Sequence, residues 1–287
     1  MDTAALLDAR GWVVDVDGCL MRTASAGGSR GTAIPGAANF LRCLVEDGRE
    51  VLVVTNASQE PPAAYAGHLR AQGIEVRDEQ FITAGSAAAD YIAEQYPRAR
   101  VLVVGDRGLS EPLESHGMTL AGTAGDGRLA DVVVVGAGRT YATDVVNAAC
   151  LAVDAGAPLY TTVASPWFHG GMGKSVAISS AMAHAVAWAT GAEPKVLGKP
   201  SAGLAETLLR RIGHPPEDIT VVGDAPAEIQ LARAMGANSA LVLSGALTRE
   251  HLATLDGDAH PDLVAADVDD LHALITDRLT TAQGAPS

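Results

Sequence analysis

Short runs of β-branched and other apolar residues recur along the chain, and between them lie turns followed by helix-like stretches. The runs are WVVDVD at 12–17, VLVVTN at 51–56, VLVVGD at 101–106, VVVVG at 132–136, LYTTV at 159–163, ITVVGD at 219–224 and SALVLSG at 239–245. They lack the polar alternation of a sheet with one wet face. The pattern therefore predicts parallel strands covered by helices on both sides, an α/β fold with doubly wound sheets. Helix signals fit between the runs: Pro35 opens GAANFLRCLVEDG and Gly48 closes it, and SAGLAETLLRRIG runs from Ser201 to Gly213. Both read as crossover helices. The longest apolar tract, Ser175 to Thr190, contains His184 and several serines and reads as a buried amphipathic helix, too short and mixed to span a bilayer.

Ligands of such sheets bind beyond the carboxyl ends of the strands, so the residues that finish each run are candidates for chemistry. The first run ends in Asp15, Val16, Asp17 and Gly18, the second in Thr55 and Asn56, a late loop carries Gly198, Lys199 and Pro200, and ITVVGD ends in Gly223 and Asp224. Three carboxylates, a hydroxyl and an ammonium gathered at strand ends make a site for a metal ion and an anion. Of Asp15 and Asp17, one carboxylate can attack and the other can move a proton, and Gly18 lets the chain turn so that backbone N–H groups face the site. Taken singly, DVDG is equally a polar turn or a calcium-type loop, Thr55 a strand-ending threonine and Lys199 a surface lysine. The ordered set carries the reading.

Composition narrows the partners. A 287-residue chain with 48% hydrophobic and 19% charged residues has the balance of a globular protein long enough for two domains. A formal net charge of -14 opposes polyanions, so nucleic acid and anionic membrane surfaces are not expected as partners. Cys19, Cys43 and Cys150 are far apart and without a CxxC pair, which suggests neither a disulfide framework nor a zinc site. Asp2 and Asp8 stand where a signal peptide would be basic, so a cytoplasmic location is expected.

Two phosphate-loop patterns fail on inspection. FHGGMGKS, 168–175, ends as a P-loop does, but Phe168 stands where GxxxxGK[ST] needs glycine, and the GKS is expected at a helix start. VVVVGAGRTY places Tyr141 at the third glycine of GxGxxG, which leaves a hydride enzyme poorly supported.

In order, DVDGCL, VVTNAS, VLGKPS and VVGDAPAE resemble the motifs of the haloacid dehalogenase superfamily of aspartyl-phosphate phosphatases over nearly the whole chain. The resemblance implies Asp15 as nucleophile and Asp17 as general acid and base. It implies Lys199 as the charge-neutralising lysine, and Thr55, Asn56 and Gly18 at the phosphate. It implies Mg²⁺ as cofactor, held by Asp15, Asp17 through its carbonyl, Asp224, and Glu228 by way of water. Forty positions separate Asp15 from Thr55 and 144 separate Thr55 from Lys199, so an inserted domain belongs in the second gap. That layout, with IPGA, ATGAEPKVLGKP and PDLVAADVDDLHAL, is similar to the NagD-like branch, which carries a C2-type α/β cap. The expected division is a catalytic core of 1–84 and 190–287 with a cap of 85–189.

The resemblance implies a Mg²⁺-dependent phosphatase of a small phosphorylated metabolite, a sugar, polyol, nucleoside or cofactor phosphate, and leaves a homodimer open. Three departures bear on it. Glu228 replaces the branch's second aspartate, Ala57 replaces the second Asn of TNN, and TASAGGSRGT, 23–32, is an added loop. In the cap, YTTVASPWFHGGMGKS has Thr162 and Ala164 where relatives have Asn and Asp, so substrate choice is expected to have changed. Trp167, Phe168 and His169 cluster in a chain with 4% aromatic residues, and are read either as a wall for a ring-bearing substrate or as cap core. Phosphotransfer to a second substrate, by a mutase or a kinase using 168–175, and a catalytically weakened binding protein stay open as alternatives.

Overall fold

The computed structural model describes residues 3–24, 30–123, 129–169 and 173–284. Its larger sheet has six strands in the spatial order Leu263–Ala265, Asn238–Val242, Ile219–Gly223, Gly11–Asp15, Glu50–Thr55 and Phe81–Thr83, every neighbouring pair parallel. The chain starts at the centre with Gly11–Asp15 and moves out to one edge through 50–55 and 81–83. It then leaves, and returns on the other side of Gly11–Asp15 with the remaining three strands. Strand order thus reverses beside Gly11–Asp15, which opens a crevice at the carboxyl ends of 11–15 and 219–223.

Alternate residues of each strand enter opposite cores, as continuous apolar runs require. Trp12 and Val14 pack with Phe40 and Leu44 of helix Ala37–Glu46 and with Leu271 and Ile275 of helix Val268–Gly284. Val13 packs on the other face with Leu204 and Leu208 of helix Ala202–Ile212 and Leu231 and Met235 of helix Pro226–Met235. Helix Ala202–Ile212 begins where the Ser201 hydroxyl accepts from the Leu204 N–H and stops at Gly213, close to the expected limits.

A second, five-stranded sheet has the order Lys195–Val196, Leu159–Thr161, Val132–Val135, Arg100–Val104 and Thr119–Leu120, again wholly parallel. It too is buried on both faces: Val101, Val132 and Val134 point into one core, Leu102, Val104, Val133 and Val135 into the other. Its edge strand Lys195–Val196 moves the end of the inserted unit past the expected residue 189, and the return to the first sheet comes through Leu197–Pro200. Two residues paired at an edge leave no apolar run in the sequence to mark them. Helix Ala84–Gln95, rich in small residues, joins the units, with Ala87 in a core of the first sheet and Ala88, Ala89 and Ile92 in a core of the second.

One local expectation is corrected. Lys174–Val176 is a strand, paired antiparallel with Trp167–His169 in the register Phe168 to Ser175 and His169 to Lys174, and the helix begins only at Ile178. Lys174 and Ser175 therefore do not stand at a helix start and cannot form a P-loop, because cross-strand pairing holds their backbone extended. No helix among the described residues is long and apolar enough to cross a membrane.

Candidate active site

Asp15 is the last residue of the central strand and is buried. Its Oδ1 accepts a hydrogen bond from the Lys199 ammonium, which also donates to the Val54 carbonyl at 3.3 Å and lies 2.9 Å from Glu228 Oε1. Lys199 arrives on the connection returning from the second sheet, and Asn56 fixes it there. The Asn56 Oδ1 accepts from the Lys199 N–H at 2.7 Å, and its Nδ2 donates to the Lys199 carbonyl at 3.2 Å. Asn56 is thus a clamp on the lysine backbone, which is the loop-positioning part of its expected role.

Asp17 lies beyond the strand, so the two carboxylates are not presented as they would be in a regular strand. Its Oδ2 accepts from the Thr55 hydroxyl at 3.0 Å, and Thr55 Oγ1 accepts in turn from the Ala57 N–H at 3.1 Å. Its Oδ1 accepts from the Thr23 hydroxyl at 2.9 Å. Thr23 belongs to the stretch read as an added loop, of which residues 25–29 lie outside the described residues; nothing in its sequence context marks it.

Asp224 follows strand Ile219–Gly223, and its Oδ2 accepts from the Ala246 N–H at 2.6 Å. A Cβ on Gly18 would lie 2.2 Å from that oxygen and one on Gly245 1.9 Å from it, so two glycines make the space that Asp224 occupies. Gly18 has φ +89° and its own N–H is bonded to the Met21 carbonyl at 2.7 Å. The expectation that Gly18 offers its N–H to phosphate is corrected: it is needed for the turn and for room. The segment from Ser244 to Ala246, reached from strand Asn238–Val242, was open to discovery by the strand-end rule, since SALVLSG is legible as a strand.

Glu228 is buried, with Oε1 beside Lys199 and Oε2 accepting from the Ala225 N–H at 3.2 Å. Both oxygens are engaged, so its direct partner is the lysine; the expected hold on a metal-bound water gains no support from this geometry.

Four buried carboxylates share one buried ammonium. Burial pushes the Asp15 carboxyl up to about 7, with Lys199 pulling it down and Glu228 and Asp17 pushing it up. Burial, and then Asp15 and Glu228, raise Asp224. Burial works against the Lys199 ammonium, but Asp15 and Glu228 outweigh it and raise its pKa. The centre is short of positive charge. No three His, Cys, Asp or Glu side chains among the described residues surround a common metal position. Mg²⁺ needs only one or two carboxylates and takes its other oxygens from backbone, water and substrate, so Asp15 and Asp224 at a charge-deficient centre fit it.

The cluster forms one end of a cleft of about 700 Å³ that both units line. Trp167, Phe168 and Ile178 of the second unit face it, as does Arg30 of the first. Trp167 is 43% exposed, so it is not cap core, and Lys174 Nζ lies 4.0 Å from its ring centroid. His169 is in the same hairpin, but its side chain lies outside the described residues. The buried Thr162 hydroxyl meets that of Ser58 at 3.1 Å, and Ser58 also accepts from the Ala137 N–H at 2.9 Å, which joins the loop after Thr55 to the second sheet.

Two doubly wound parallel-sheet units with an acidic, lysine-bearing cleft between them define an α/β enzyme of the hydrolase type. The chain belongs to the haloacid dehalogenase-like hydrolase family: that family's model matches residues 12–119, and a second model, HAD-hydrolase-like, matches 196–271. It is 30% identical to the 5'-nucleotidase YutF of Bacillus subtilis over 85% of this chain and 90% of that protein. It is 29% identical to the ribonucleotide monophosphatase NagD of Escherichia coli over 81% of this chain and 87% of that one. Its fold superposes with a TM-score of 0.81 on the glycerol phosphate phosphatase of Mycobacterium tuberculosis solved in complex with magnesium, at 27% identity, covering 95% of this chain and 78% of the other. The protein is a phosphoric monoester hydrolase of this family, similar to the NagD group.

Proposed function

We propose that the protein is a Mg²⁺-dependent phosphatase that hydrolyses a small phosphorylated metabolite through an aspartyl-phosphate on Asp15. The observation that carries the reading is the buried Asp15 bonded to Lys199, with Asp17 two residues on and held by two hydroxyls, at the end of a cleft large enough for a metabolite. In this reading Asp15 attacks phosphorus in line with the leaving oxygen. Lys199 keeps Asp15 oriented and offsets charge on the phosphoryl group. Asp17 gives its proton to the leaving oxygen, then takes one from the water that attacks the aspartyl-phosphate, so one carboxyl serves both halves of the reaction. Asp15 and Asp224, with the Asp17 carbonyl, would hold Mg²⁺, which supplies charge neutralisation between an anionic nucleophile and an anionic substrate.

The substrate class is a sugar, polyol, nucleoside or cofactor phosphate monoester. Trp167 and Phe168 in the cleft wall favour one that presents a flat or apolar face to the second unit. The test is phosphate release from a panel of such esters, with Mg²⁺ and with chelator, for wild type and Asp15→Asn. Turnover that needs Mg²⁺ and disappears in Asp15→Asn is expected; Asp15→Asn turning over at the wild-type rate would overturn the mechanism.

A further inference from the structure

We propose that Thr23 is a positioning residue for Asp17, aiming its carboxyl so that leaving groups needing a proton receive it. The proposal rests on the reading of Asp17 as the acid and base.

Thr23 is fully buried, and its hydroxyl donates to Asp17 Oδ1 at 2.9 Å. A buried hydroxyl needs a partner, and a valine would fill the same space without one. The partner here is the carboxylate. Thr55 donates to the other oxygen at 3.0 Å from the end of a different strand, so Asp17 is pinned at both oxygens by groups that do not move together. The turn between them is tight: the Val16 carbonyl accepts from the Leu20 N–H at 2.9 Å and the Met21 N–H at 2.8 Å, and Gly18 donates to Met21. Residues 16–21 therefore bring the chain back so that Thr23 stands against the carboxyl it serves.

With Thr23 removed, Asp17 Oδ1 loses the hydroxyl that aims it while Thr55 still bonds Oδ2, so the placement of the carboxyl is less closely fixed. Proton delivery depends on placement, and an error of about 1 Å can cost roughly 10²-fold in rate. The cost falls unevenly. An alkoxide leaves poorly without a proton, whereas 4-nitrophenolate is stable as an anion and leaves without one. A purely structural role for Thr23 has no reason to distinguish the two.

The experiment compares kcat/KM, with Mg²⁺, for glycerol phosphate and 4-nitrophenyl phosphate in wild type, Thr23→Val, Thr23→Ser, Thr23→Ala and Asp17→Asn. The loss in Thr23→Val is expected to be about tenfold larger on glycerol phosphate than on 4-nitrophenyl phosphate. Thr23→Ser, which keeps the hydroxyl, should restore the wild-type ratio, and Thr23→Ala serves where the valine variant does not fold. Equal losses on both esters in the variants lacking the hydroxyl, or a ratio that serine does not restore, overturn the proposal. Asp17→Asn separates the two levels: if it discriminates between the esters and Thr23→Val does not, Thr23 alone is misassigned. If Asp17→Asn loses equally on both, the acid role of Asp17 is wrong and the proposal falls with it.

Discussion

Lys199 stands between Asp15 and Glu228, its ammonium bonded to the first and 2.9 Å from the second, while Asn56 grips its peptide on both sides. The lysine is thereby the one buried cation of a centre with four buried carboxylates, and its position depends on two distant parts of the chain. Replacing it by methionine leaves Asp15 and Glu228 buried without their partner. Stability should fall by about 3–5 kcal/mol in urea unfolding, and kcat should fall about 10²- to 10³-fold. A Lys199→Met variant as stable as wild type would show that the pairing contributes nothing to folding.

Asp224 occupies space that exists because two glycines lack side chains. Gly245 offers the cleaner test, since Gly18 carries a left-handed φ as well as the close contact. In Gly245→Ala the methyl would meet Asp224 Oδ2 at 1.9 Å and displace the carboxylate. Turnover should drop about 10²-fold; Mg²⁺ is expected to raise the melting temperature of the wild type, and that rise should disappear in the variant. Gly122→Ala, whose Cβ meets nothing within 4 Å among the described residues, is the control. A magnesium-induced rise that survives in Gly245→Ala would count against Asp224 as a ligand.

Trp167 lines the cleft with Lys174 over its ring, so its indole is held in place without being buried. Trp167→Ala should raise KM for ring-bearing esters about three- to tenfold more than for glycerol phosphate, the worth of one aromatic contact. A panel in which the ranking of substrates is unchanged would remove Trp167 from substrate choice.

Far from the cleft, Asp262 accepts from Arg233 at 2.7 and 3.0 Å and from the Ser239 N–H and hydroxyl at 2.8 Å. Burial raises its pKa, but the bonds from Arg233 and Ser239 outweigh it and hold the carboxyl below its ordinary 3.8. A carboxyl lowered in the folded state stabilises fully above its unfolded pKa, and the stabilisation is lost as pH falls through the folded value. Asp262→Asn should therefore cost about 1–3 kcal/mol at pH 7, and its deficit relative to wild type should shrink as pH is lowered from about 4. Urea unfolding of both proteins across that range checks the sign; a deficit that grows on acidification would contradict it.

Much of this was legible in the sequence. Seven apolar runs foretold seven of the strands, because a strand buried on both faces must be apolar along its length. The short strands at 81–83, 119–120, 195–196 and 263–265 were not, since two or three residues at or near an edge have too few apolar positions to stand out. The GKS ending at 173–175 was read as a helix start, because the pairing of Lys174–Val176 with Trp167–His169 is a contact between segments and not a property of either.

By itself the sequence determined the α/β class and the strand ends where the polar residues sit, since periodicity and the carboxyl-end rule are local. Tertiary structure alone decided what those residues touch. Glu228 turns to a lysine, Asn56 clamps a backbone 143 positions away, and Asp17 receives a hydroxyl from a stretch that read as a loop. Hydrogen-bond partners follow from how separately formed elements pack and which rotamers that packing allows, and no spacing along the chain records it.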